Sequence, residues 1–144
     1  HRLNDSRQRY TNHHASSEVY KLKYATVADY LWNTAAYDPE RSLWKVLVRS
    51  YGTDSAEKLI RFSDAYYRLY GICRHMETED HHKGIKKRGQ NSLSDLNQYL
   101  ADLSKALSNQ QPLIEELKYF RNKQKRRFEK LLRDKKVKET SDES

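Results

Sequence analysis

The chain has one cysteine, Cys73, in 144 residues. A single thiol excludes an internal disulfide and any cysteine-rich zinc site, and it leaves the compartment open. Glycine and proline are also scarce, at four and two, so the tight turns that a hairpin-rich β fold requires are largely missing. No apolar run approaches the ~20 residues needed to cross a bilayer, and no signal-peptide pattern opens the chain. Nothing glycine-rich resembles a phosphate cradle. No serine or histidine spacing matches a nucleophile elbow.

What is present is charge and helical periodicity. One third of the residues are charged, 36% are hydrophobic, and the formal net charge is +8. A chain of this length forms one domain, or one domain with tails. Its thin apolar content suffices because about two-thirds of the unfolded surface is buried at this size. The positive charge concentrates in "RNKQKRRFEKLLRDKKVK", residues 121–138, and in "HHKGIKKRG", residues 81–89. Both read first as solvated faces. They also raise nucleic acid, anionic lipid or acidic glycan as partners.

The pattern predicts an all-α fold, an antiparallel bundle of four to five helices with a disordered tail. Asp38-Pro39 is a helix start, an acceptor for free N–H groups followed by a residue suited to the first helical position. Leu43, Trp44, Leu47, Val48 and Tyr51 follow at helical spacing, and Gly52 can end that helix. "DSAE", residues 54–57, offers a capping box. Leu59, Phe62, Tyr66, Leu69, Cys73 and Met76 then form a stripe, widened by Ile60, Tyr67 and Tyr70. Residues 77–91 lack apolar periodicity, carry two glycines and read as a loop. A leucine seam (Leu93, Leu96, Leu100, Leu103, Leu107) predicts a helix from Ser92 or Ser94, broken by "SNQQP" at 108–112. The last helix would bury Leu113, Leu117, Phe120, Phe128 and Leu131. Its tail, 137–144, has the polar composition of a disordered segment. The domain reading is 1–23 as a remnant of, or linker from, something upstream, 24–136 as the bundle, and 137–144 as tail. The antiparallel geometry would cross helices near 20°.

Candidate chemistry is sparse. His13-His14 and His81-His82 are adjacent pairs whose side chains diverge. His75, Glu79, Asp80, His81 and His82 do not form the H-E-x-x-H pattern, two histidines at i and i+4, of a metal helix, so neither a metal site nor a cofactor is expected. Cys73 lies on the apolar stripe with no histidine-plus-acid partner, which fits a small buried residue rather than a nucleophile. Trp32 and Trp44, with Tyr30 and Tyr37 nearby, sit at helical spacing on consecutive helices. Large rings so placed are core before they are a sugar platform.

One stretch is more distinctive. "TNHHASSEVYKLKYATVADYLWNTAAYDPERSLWKVL", residues 11–47, resembles the junction between the catalytic barrel and the C-terminal helical domain of glycoside hydrolase family 84. That family holds bacterial O-GlcNAcases and hyaluronidase-like β-N-acetylglucosaminidases. The resemblance rests on Asn12, Ala15-Ser16-Ser17, Lys21, "VADYLWN" at 27–33 and "AYDPERSLW" at 36–44. It covers about residues 11–51.

The resemblance implies a parent enzyme that hydrolyses terminal β-linked N-acetylglucosamine with retention, the substrate's acetamido group acting as nucleophile. It also implies a bacterial protein that is secreted or held at the cell surface. The family's catalytic pair is two adjacent aspartates at a barrel strand end. This chain has no Asp-Asp pair, and a barrel needs at least ~200 residues, so these 144 residues are not expected to catalyse by themselves. Asn12 matches an asparagine that hydrogen-bonds sugar hydroxyls from a late barrel loop in the intact parent. The family follows it with Pro-Met, whereas this chain has His13-His14.

Two function classes therefore stand. In the first, the chain is a non-catalytic helical module whose partner is the upstream barrel of the same polypeptide and, through it, an N-acetylglucosamine-bearing glycan or glycoprotein. In the second, it is an independent basic binder of nucleic acid or acidic glycan, using Arg121, Lys123, Lys125, Arg126, Arg127, Lys130 and Arg133. Readers of single strands interleave aromatic rings with basic residues. Phe120 and Phe128 fall on the apolar stripe instead, which favours the first class and disfavours nucleic acid.

Overall fold

The computed structural model of the chain describes residues 27–34, 42–78 and 84–143. It is helical over 93% of them, with five helices and no strand. The helices are α1 (Val27–Thr34), α2 (Leu43–Tyr51), α3 (Thr53–Thr78), α4 (Ile85–Ala106) and α5 (Gln111–Glu143). The expected all-α class is what the chain adopts, with five helices among the described residues. It divides into two compact units, the first ending at Ile60 and the second beginning at Arg61, inside α3.

In the first unit α1 packs against α2. Val27, Leu31, Trp32, Leu43, Val46, Leu47, Ala56 and Leu59 are buried. Trp32 is the core ring, while Trp44 is half-buried. The start of α2 differs from the expectation. Ser42 is its N-cap, in extended conformation, with its hydroxyl accepting from the Lys45 amide at 3.4 Å. An extended Ser42 cannot continue a helix begun at Pro39; Asp38 and Pro39 themselves lie outside the described residues, as do Tyr37 and all of 1–26.

Gly52 closes α2 at φ 88°, ψ 164°, with its amide on the Val48 carbonyl at 2.8 Å. That conformation is open essentially to glycine alone. The Gly52 carbonyl then accepts from Ala56 at 2.9 Å, so α3 begins at Thr53 rather than at a capping box on Asp54. Asp54 occupies the first turn, where a carboxylate complements the helix dipole.

In the second unit α3, α4 and α5 run up, down and up. Gly89 and Asn97 of α4 meet Phe128 and Arg121 of α5 in antiparallel register. Tyr66 and Tyr70 of α3 meet Phe120 and Arg127 of α5 in parallel order. The α3 stripe is buried from Phe62 to Met76. Tyr67, expected to widen it, is 40% exposed.

The expected loop at 77–91 is corrected. α3 runs to Thr78 and α4 begins at Ile85, after Gly84 at φ 89°. Ile85, Gly89, Ser92 and Leu96 are all buried at a 4-3-4 helical spacing. Two rungs of that stripe are small residues, so it does not read as apolar. Gly89 is required there because a Cβ would overlap the Phe128 ring. α5 likewise continues through 137–143, where the composition suggested a tail. Those residues contain neither glycine nor proline to break a helix.

Candidate functional site

The seven cations proposed on α5 do not form one site. The helix sorts them by angle. Gly89 and Asn97 fix the α4 side of α5, Tyr66 and Glu77 fix the α3 side, and the rest face outward.

Arg121 lies on the α4 side. Its Nη1 donates to Asn97 Oδ1 at 2.9 Å and its Nε to Asn122 Oδ1 at 2.8 Å. Arg127 lies on the α3 side. Its Nε and Nη2 donate to the two carboxylate oxygens of Glu77 at 2.6 and 2.8 Å. Its guanidinium also covers the Tyr70 ring, 4.9 Å from the centroid. A bidentate fork stacked on an aromatic ring is a fixed structural contact, so Arg127 is not available to a ligand. The Arg127 hydrogen bond, ahead of the opposing burial, holds the Glu77 carboxyl below its ordinary value.

Lys125 is half-buried. Lys123, Arg126, Lys130 and Arg133 are exposed, spaced i, i+3, i+7 and i+10 along one outer face. Among the described residues no ion pair engages these four. Tyr119 shares that face, one turn before Lys123, and is 52% exposed. Its ring meets Phe120 edge-on at 5.7 Å. Sequence reasoning weighed Phe120 and Phe128 and passed over Tyr119. The signal was its position: one residue from Phe120 is a 100° turn, from the buried stripe to the flank.

Behind this face the α3–α5 seam holds a cluster with no reactive group. Gln124, buried between Phe120 and Phe128 on consecutive turns, donates from Nε2 to the Tyr66 hydroxyl at 3.1 Å. Its Oε1 has no hydrogen-bond partner among the described residues. The Tyr66 ring stands edge-on to Phe120 at 5.6 Å, and burial raises its hydroxyl above the ordinary tyrosine value. Burial likewise pushes the Cys73 thiol up to about 11, against the opposing pull of Arg127. A buried thiol that stays protonated at neutral pH is a poor nucleophile, as its place on the apolar stripe suggested.

Asn12 and His13-His14 lie outside the described residues, as do Glu79, Asp80, His81 and His82. Among the described residues no group of three or more His, Cys, Asp or Glu is placed to hold a metal ion, and no helix is long and apolar enough to cross a membrane. Compared with family models, curated proteins and solved structures, the chain matches none of them.

Proposed function

We propose that the chain is the non-catalytic helical module of a family 84 β-N-acetylglucosaminidase, secreted or at the surface of a bacterium, packed against the catalytic barrel of the same polypeptide. The observation that carries this reading is the "VADYLWN" stretch, which resembles the family's barrel-to-bundle junction. It supports a packing role that Val27, Leu31 and Trp32 of this stretch are buried in α1 while Asn33 is exposed. Rings committed to a core serve a seam between elements better than a sugar platform. Within this reading Asn12 is the position that would reach sugar hydroxyls, from a late barrel loop, and the module lines the approach to the substrate cleft.

The coding DNA upstream of His1 tests the proposal directly. A reading frame encoding a barrel of at least ~200 residues, with two adjacent aspartates at a strand end, is the expected result. An upstream frame that encodes no barrel overturns it.

A further inference from the structure

We propose that the outer face of α5 is a binding surface for single-stranded nucleic acid, formed by Tyr119, Lys123, Arg126, Lys130 and Arg133 and extended by Lys86 of α4. The argument is independent of the barrel reading and starts from what the fold does with its cations. Arg121 and Arg127 are consumed by Asn97 and Glu77, whereas the four outward cations are left without an ion pair among the described residues. Like charges three and four residues apart destabilise a helix. Such a row therefore gains from a bound polyanion what it loses alone.

The acids near it do not neutralise it. Glu115, one turn before Tyr119, is paired with Lys118 at 3.3 Å. Glu129 is half-buried and lies off the row toward α4. Glu129 lies four residues before Arg133 and Asp134 four after Lys130, the spacing of helical charge pairs, yet among the described residues no ion pair joins either acid to the row. Lys86 is exposed and lies three turns from Asn97, on the α4 edge that meets α5. The antiparallel Asn97–Arg121 register puts it level with Leu132, next to Arg133, which broadens the positive surface there.

The spacing selects the ligand. Cations at successive intervals of three and four residues rise about 4.5 to 6 Å along the axis, which suits a polyanion charged at every monomer rather than a sparsely charged glycan. Tyr119 adds a second requirement. Its ring is exposed, seated against Phe120, and in line with the cation row. A single strand presents phosphates and unpaired π faces together, so one ligand can engage both the row and the ring. A duplex hides its base faces, and a sulfated glycan has no π face to offer.

The test uses the full 144-residue chain and fluorescein-labelled oligothymidylate, read by anisotropy across a salt series. At about 50 mM salt, saturable binding is expected, with log affinity falling by roughly 0.7 per neutralised phosphate for each unit of log salt, a slope near −3 for four contacts. Replacing the four exposed cations by serine should weaken binding at least tenfold and flatten that slope. Tyr119→Ser should weaken it about fivefold or more, the loss of one stacked base, without changing the slope, and Tyr119→Trp should restore it. All these positions are exposed, and helical circular dichroism confirms that each variant is folded. No binding by the parent chain, equal binding by Tyr119→Ser, or tighter binding of a matched duplex or a heparin-derived oligosaccharide would each overturn the proposal.

Discussion

Two glycines on neighbouring helices show how far one methyl group's effect depends on surroundings. Gly71 is exposed within α3, and a Cβ there would meet nothing within 4 Å. Gly71→Ala should therefore stabilise the chain by about 0.5–1 kcal/mol, the usual helix-interior difference. Gly89 is buried on α4 against Phe128. Gly89→Ala forces the two helices apart or Phe128 out of place, and overpacking of this kind costs about 1–3 kcal/mol. Denaturant melts of the two variants should move in opposite directions. Gln124 and Tyr66 provide a second contrast. Tyr66→Phe removes one hydroxyl and leaves the buried Gln124 amide with no partner, at a cost of about 1–3 kcal/mol. Tyr66→Phe with Gln124→Leu removes both polar groups and should recover most of that loss, so the cycle will be strongly non-additive.

At the scale of the helix, α5 is held in the second unit by different contacts on its two flanks. Toward α4 the close fit is glycine against phenylalanine, with one hydrogen bond from Arg121 to Asn97. Toward α3 it is polar and aromatic, with Glu77 clamped by Arg127 above the Tyr70 ring. Because the Glu77 carboxyl is held below its ordinary value in the fold, its contribution is fully present above the unfolded glutamate value, about 4.3. That contribution is lost as pH falls through the lower folded value. Glu77→Gln should therefore melt below the parent at pH 7. The two melting curves should converge in acid below that range. The pair is partly exposed, so the neutral-pH difference should be small, within about 1 kcal/mol. A difference that persists unchanged into acid would assign the loss to packing rather than charge.

For the whole molecule, the module reading makes a direct prediction. The purified chain should not turn over a chromogenic β-N-acetylglucosaminide. It contains no Asp-Asp pair, its Cys73 thiol is buried and pushed up to about 11, and the Glu77 carboxylate is committed to a pair with Arg127 that joins two helices. Turnover above buffer by a clean preparation would contradict the module reading, while the surface assigned to α5 stands or falls on the binding test alone.

Much of this architecture was legible in the sequence because large apolar side chains at three- and four-residue intervals can be buried only by a helix packed on another. The stripes from Phe62 to Met76 and from Leu96 to Leu107, and most of the α5 stripe, needed no neighbour to be recognised. The polarity of the last helix was equally plain. What the sequence did not reveal depends on identity across an interface. Ile85-x₃-Gly89-x₂-Ser92 looks like a loop until the Phe128 ring lies over the glycine, since a void in one helix is meaningful only when another fills it. Gln124 looks like a surface residue until Tyr66 supplies its partner. The seven cations of α5 are one basic run in sequence. Tertiary contacts alone decided that Arg121 and Arg127 are structural, while Lys123, Arg126, Lys130 and Arg133 face outward beside Tyr119. A helix assigns each side chain an angle, and only the positions of the neighbouring helices decide which angles meet protein and which meet water.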